Sequence, residues 1–141
     1  MIYSLVFYGR GHKNIVATHP TTLEFTKDTW LTPRGDCILL VGCSLAAADL
    51  PREVKAAIQN AASLKFKIHV GNLVDEVIGF GDPSLTLTDV KSMVIRKSAY
   101  ASPRTVAICA NKSAGDIDRK IVKYLSQGET AKVELLVDVS I

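Results

Sequence analysis

The residues able to do chemistry crowd into the early part of the chain: His12, His19, Glu24, Arg34, Asp36 and Cys37. Two imidazoles, two carboxylates, a guanidinium and a thiol are the set needed to hold an anion or to move a proton. An imidazole serves as a general base once a partner fixes its tautomer, and Asp36 and Glu24 are the candidates for that partner. Arg34 carries the planar fork that grips a carboxylate or phosphate through paired hydrogen bonds. Cys37 becomes a nucleophile if a histidine takes its proton. Its other reading is a small core residue opening an apolar strand. His12, His19 and Cys37 are chemically suited to zinc, but no close-paired ligand motif accompanies them, and no metal is expected. Just upstream, Gly9-Arg10-Gly11-His12-Lys13-Asn14 reads either as a nest of amides for an anion or as the turn closing a strand.

Strands dominate the elements that must position these side chains. Residues 2–8 form an apolar run. Thr22 to Thr26 alternates, with Leu23 and Phe25 on one face and Glu24 on the other. Cys37-Ile38-Leu39-Leu40-Val41 is apolar on both faces, as in a strand covered from two sides. Leu64 to Val70 alternates with Phe66, Ile68 and Val70 inward, and Gly71-Asn72 suits a tight hairpin into a strand from Leu73 to Phe80. Short apolar stretches at 85–88 and 93–97 follow, then a buried strand at 105–109 and an alternating strand from Lys132 to Ile141. Two helices interrupt the pattern, one with Leu50, Val54, Ile58 and Ala61 on its apolar stripe and one with Ile117, Ile121 and Leu125. Asp49 and Asp116 stand ahead of these stripes as expected helix caps, and Pro51 suits the first turn.

The chain repeats itself. The run from Gly42 to Val70 lies without a gap on the run from Cys109 to Val137. Further upstream, Thr32-Pro33-Arg34 answers Ser102-Pro103-Arg104, and Thr22-Leu23-Glu24-Phe25-Thr26 answers Ser84-Leu85-Thr86-Leu87-Thr88. In this register Gly81-Asp82 stands where the first half has Thr18-His19. The expectation is a β-rich α+β fold: a single domain over 1–141, with an internal pseudo-twofold duplication of a β-β-α-β unit in halves of roughly 9–71 and 72–141. A Gly-Asp pair entering a strand of such a unit is similar to the signature of pseudo-twofold barrels, and an open α+β sheet is the alternative. The second half lacks a Gly-Asp-Cys after its Pro-Arg, so the first half alone is expected to carry a site.

Composition limits the classes of function. The 141 residues are 48% apolar and 22% charged, enough for a core that needs neither disulfide nor metal. Three cysteines at irregular spacing argue against a disulfide framework. The apolar start lacks a basic leader, and no apolar run approaches the ~20 residues that span a bilayer, so a cytoplasmic, non-membrane protein is expected. Net charge is +3, yet Lys91, Arg96, Lys97, Arg104, Lys112, Arg119, Lys120 and Lys123 concentrate between 91 and 123. On one face they would attract nucleic acid; as solvated helix and loop charges they would not.

Gly11-His12-x-Asn14-Ile15-x-Ala17-x-His19-x-Thr21-Thr22-x-Glu24-x-Thr26, Leu31-Thr32-x-Arg34-Gly35-Asp36-Cys37-Ile38 and Met93-Val94-Ile95-Arg96-Lys97-Ser98 together resemble the archaeal Domain of Unknown Function 371 family, over nearly the whole chain. The resemblance implies an archaeal source. It carries over no catalytic residues and no cofactor. Asp82 stands where that family commonly has a histidine before Pro83. The functional expectation is one polar cleft, lined by His12, His19, Glu24, Arg34 and Asp36, that binds a small anionic ligand. Two further classes fit the same sequence. One is a hydrolase or transferase, with His12 or His19 as base and Asp36 or Cys37 as partner or nucleophile. The other is a nucleic-acid-binding module using the basic 91–123 region.

Overall fold

Two periodicities divide this chain: strands that point alternate side chains to opposite faces, and helices that return to one face every three or four residues. The computed structural model describes residues 1–139. In chain order it holds β1 (Ile2–Arg10), β2 (Thr22–Thr26), β3 (Ile38–Leu40), α1 (Arg52–Gln59), β4 (Ser63–Val70), β5 (Leu73–Phe80), β6 (Ser92–Arg96), β7 (Thr105–Ala107), α2 (Arg119–Ser126) and β8 (Thr130–Asp138). These elements form one α+β domain.

The long strands make an antiparallel sheet in the order β1-β8-β4-β5, and the short ones a second sheet, β3-β2-β6-β7. In the second, β2 and β6 run antiparallel at the centre, with β3 and β7 added in parallel at the edges. Single bridges, Arg10 to Val41 and Phe80 to Ile108, join the two sheets at their corners. The barrel-like form of the expectation is therefore not taken: one bridge at each corner does not continue a ladder, and both sheets stay open among the described residues.

The core lies between the sheets. Phe7, Phe25 and Phe66 stack through it, with ring centroids 5.4 and 6.1 Å apart. Leu23, Met93 and Ile95 are fully buried on the same face of the short sheet as Phe25. Val54, Ala57 and Ile58 of α1 and Ile121, Val122 and Leu125 of α2 close the ends. Each large apolar side chain buried in this way stabilises the fold by roughly 1.5–3 kcal/mol. The β4–β5 hairpin turns through Gly71-Asn72 with Gly71 at φ +58, as its leading glycine predicts.

Some local expectations change. Asp49 and Asp116 do not cap the α-helices. Each closes a separate 3-10 turn, Ala47–Asp49 or Ala114–Asp116, by accepting the amide of Ala46 or Ser113. The residue ahead of α1 is Pro51, and α2 is capped by Asp118, which accepts the amide of Lys120. Ala61 lies beyond α1, exposed and at φ +60, so it leaves the apolar stripe. Residues 85–88 alternate like a strand but form a loop. Leu85 and Leu87 are buried there as anchors, and Leu87 sits at φ +55, which breaks the extended chain. In β8, Val133, Leu135 and Val137 are buried as their alternation demands, whereas Ile141 lies outside the described residues.

The element order repeats, β1-β2-β3-α1-β4 and then β5-β6-β7-α2-β8, so the unit has one strand more than the β-β-α-β expected. Over Gly42–Val70 and Cys109–Val137, Gly42 and Cys109 share a left-handed backbone at φ +58 and +53. Upstream the register differs from the sequence match. β2 pairs antiparallel with β6, Thr26 opposite Ser92 and Thr22 opposite Arg96. Thr22–Thr26 therefore answers Ser92–Arg96, and the amides of Thr18 and His19 find their counterparts in those of Thr88 and Asp89. Glu24 and Val94 take the carbonyls of Cys37 and Arg104, so Cys37 answers Arg104 and Gly35-Asp36 answers Ser102-Pro103. Thr32-Pro33-Arg34 is then extra to the first half.

The halves interlock. Gly11 lies so close to α2 that an added Cβ would sit 1.8 Å from the Leu125 carbonyl oxygen, and Gly81 stands in the same relation to Ile58 of α1, at 1.9 Å. The amide of Gly115 donates to the His19 carbonyl, and that of Ala48 donates to Asp89.

Candidate functional site

The face of the short sheet turned away from the core carries most of the buried polar side chains. Glu24 and Thr26 of β2, Ser92, Val94 and Arg96 of β6 and Thr105 of β7 share it, as the strand pairing requires. The loops after β2 and β6 fold back over this face, leaving Glu24 only 6% exposed and Thr26, Ser92 and Thr105 less than that. A carboxylate buried alone would be strongly destabilising, so its partners matter. Ser92 Oγ donates to Glu24 Oε2 at 2.9 Å, and the Cys37 thiol donates to Oε1 at 3.5 Å. Arg104 reaches the same Oε1 at 3.5 Å while its side chain stays 48% exposed. Burial, and after it the Glu24 charge, push the Cys37 thiol up to about 12. At neutral pH that thiol is a hydrogen-bond donor and not a nucleophile.

Arg96 sits beside this carboxylate group. Its Nε donates to Thr105 Oγ1 at 2.9 Å, one Nη donates to Ser102 Oγ at 3.3 Å, and its guanidinium lies 4.9 Å from the centre of the Tyr100 ring. Hydroxyls and a ring hold it in place, and it forms no ion pair among the described residues. Burial first, and then the neighbouring Arg104 charge, lower its pKa. The two guanidiniums are thus near enough for their charges to interact, and Arg104 alone bonds the buried Glu24.

The histidines have a different part. His12 Nδ1 accepts the Asn14 amide at 3.0 Å, and His19 Nδ1 accepts the amides of Thr21 and Thr22 at 3.2 and 3.1 Å. In the second half Asp82 accepts the Ser84 amide, and Asp89 accepts those of Lys91 and Ser92. Imidazole and carboxylate do the same work in equivalent turns, since each offers an acceptor to an amide two or three residues on. Asp36 holds the His19 loop through its backbone, its carbonyl accepting the amides of Thr18 and His19. Arg34, in the segment extra to the first half, is exposed and has no hydrogen-bond partner among the described residues. Of the six candidates, side-chain bonds join only Glu24 and Cys37.

Gly9-Arg10-Gly11 forms no anion nest. Neither glycine has a positive φ, and both give room instead, Gly9 to Cys43 and Leu40, Gly11 to Leu125. His12, His19 and Cys37 are not brought together as metal ligands, and no three His, Cys, Asp or Glu side chains converge among the described residues. The surface hollows beside α2, about 340 and 520 Å³, are lined by Leu73, Tyr124 and their neighbours. They take in none of the clustered polar groups. Sequence reasoning places Arg96 and Arg104 only in the basic 91–123 region and leaves Ser92 and Thr105 out of any site. The correct pairing of β2 with β6 brings Ser92 and Arg96 onto Glu24's own face.

Part of the basic segment 91–123 is engaged within the fold, while Lys91, Lys120 and Lys123 stay exposed. Lys97 pairs with Asp116 at 2.6 Å, and Lys112 pairs with Asp75. Arg119 donates to the carbonyls of Ile117, Ala17 and Ala114. No helix is long and apolar enough to cross a membrane among the described residues.

Comparison with known sequences agrees with this frame. The family model described as Domain of unknown function (DUF371) matches residues 7–138. The chain belongs to the DUF371 family. A relative from the archaeon Methanocaldococcus jannaschii, named as an uncharacterized protein, is 43% identical over 132 residues, which cover 94% of this chain and 98% of the relative. The matched region runs from the inner part of β1 to the end of β8, so both halves of the polar cluster fall within it.

Proposed function

We propose that this protein is a binding domain for a small anion, held between the Arg96 and Arg104 guanidiniums on the covered face of the short sheet. The observation that carries the reading is the pair itself: Arg96 fixed by Thr105 and Ser102, Arg104 beside it and half exposed, and one carboxylate, Glu24, to offset both. Guanidiniums oriented by neighbours hold phosphate or carboxylate with little reorganisation, because the cost of orienting them is met in folding. Arg34, exposed on the extra loop that leads to Asp36 and Cys37, is a further cation to close over the ligand. Glu24 then sets the position of Arg104 and is not itself a ligand group.

This reading moves the expected cleft away from the histidines, whose Nδ1 atoms are engaged by backbone amides. It also supports binding over catalysis, since the thiol in the cluster is protonated and hydrogen-bonded at neutral pH. A thermal-shift screen of inorganic phosphate, pyrophosphate, nucleotides, sugar phosphates and polycarboxylates tests it. A ligand at a hundredfold its Kd stabilises the fold by about 2.7 kcal/mol. Arg104→Gln, which retains a donor for Glu24 but removes the charge, is expected to abolish the shift. No shift from any of these anions, or an equal shift in Arg104→Gln, contradicts the proposal.

A further inference from the structure

The long sheet has an outer face on which no described residue packs, and half of the large exposed apolar side chains of the protein stand on it. Ile2, Val6 and Tyr8 project from β1, and Val74, Ile78 and Phe80 from β5, each between 38% and 63% exposed. Together they present on the order of 600 Å² of apolar side chain, in two bands on opposite edges of the sheet with the charged middle strands between them. A stable protein–protein interface needs about 800 Å² per partner, which this face supplies once the strands between are included.

We propose that this face joins two copies of the chain. The charges on the middle strands decide how. β4 presents Lys65, Lys67 and His69, whereas β8 presents Glu134 and Asp138 along with Lys132. A twofold axis across the strands would lay β4 on its own copy, lysine on lysine. A twofold axis along the strands lays β8 over the partner's β4 and β1 over the partner's β5. The register across the sheet places Val6, Glu134, Lys67 and Glu76 in one row. That axis keeps each row in place, so Glu134, which also bonds His69 of its own chain at 2.6 Å, meets the partner's Lys67, and Val6 meets the partner's Glu76. In the same way Tyr8 meets the partner's Val74 and Ile2 meets the partner's Phe80, apolar on apolar. Stacked sheets with nearly aligned strands are an ordinary packing. The arrangement is isologous, as a closed dimer requires. It uses the side of the molecule opposite to Arg96 and Arg104, so its success or failure is independent of anion binding.

Sedimentation velocity over a concentration series tests the proposal on the full chain. The expected result is a species of twice the chain mass at micromolar concentration, with Ile78→Lys weakening association at least tenfold while circular dichroism stays unchanged. For geometry, Tyr8→Cys and Val74→Cys are combined in a Cys109→Ser background. These positions lie on opposite edges of one sheet, three strand spacings or ~14 Å apart, beyond disulfide reach within a chain. Mild oxidation is therefore expected to give a covalent dimer. A monomer at every concentration overturns the proposal, as does a dimer that Ile78→Lys leaves intact or that the paired cysteines cannot lock.

Discussion

His12 and His19 teach the sharpest lesson about single residues, because their partners in the second half are aspartates. An imidazole Nδ1 and a carboxylate oxygen both sit one or two bonds beyond Cγ or Cβ, close enough to accept an amide from the following turn. His19→Asp is therefore expected to leave stability within ~0.5 kcal/mol, as Asp89 does the same work, whereas His19→Ala should cost about 1–2 kcal/mol by stranding two amides ahead of β2. Urea unfolding of the two variants checks this, and a base role for His19 would show no such rescue by aspartate. The thiols give a second test. Burial pushes Cys37 and Cys43 up to about 12, while Cys109 is exposed. Timed alkylation followed by mass spectrometry is expected to label Cys109 first, with the other two following only on unfolding. None of this was legible in residue types alone. A histidine beside threonines and a carboxylate reads as chemistry until the backbone shows which amides its ring accepts.

Strands and helices were more legible than the turns between them. The alternation of Phe66, Ile68 and Val70, and of Val133, Leu135 and Val137, reports a buried face directly, and Gly71-Asn72 marks its own hairpin. The early repeat was misaligned because Ser84–Thr88 alternates as a strand does, although Leu87 is left-handed there. Gly11 and Gly81, read correctly, would have fixed the register, since each gives way to the last turn of a helix in the other half. Gly11→Ala and Gly81→Ala are each expected to destabilise by roughly 1–3 kcal/mol or more, an overpacking cost that neither rigid backbone can relieve. Thermal unfolding of both variants checks the equivalence, and tolerance of either would contradict the interlocked helices. The 3-10 turns contribute to the pH dependence. Asp116 is held down at about 2, first by its hydrogen bond from Lys97 and then by the Ser113 amide, and Asp49 is lowered in the same way by Lys27. A depressed carboxylate stabilises the fold fully above its unfolded pKa of ~3.9 and stops doing so as pH falls through its folded value. The urea midpoint should therefore fall between pH ~4 and 2, and less steeply in Lys97→Met. Both pairs are partly exposed, so the effect is modest.

At the level of the whole molecule, the polar cluster belongs to neither half. The first contributes Glu24 and Cys37, the second Ser92, Arg96, Ser102, Arg104 and Thr105, and they meet only because β2 and β6 pair at the centre of the short sheet. Glu24 and Arg34 were legible as polar groups of interest. The arginine pair was not, since Arg96 and Arg104 read as two charges in a basic stretch until that stretch folds and two of its lysines find Asp116 and Asp75. A repeated unit whose equivalent positions hold Glu24 and Val94, or Cys37 and Arg104, gives two related surfaces with different chemistry on one frame. The most direct test follows the guanidinium ¹⁵Nε resonances of the arginines by NMR during titration with pyrophosphate. The account predicts that Arg96 and Arg104 shift together to a common saturation while Arg52, on the exposed side of α1, stays still. Resonances that do not move, or arginines that all drift alike with ionic strength, would contradict it.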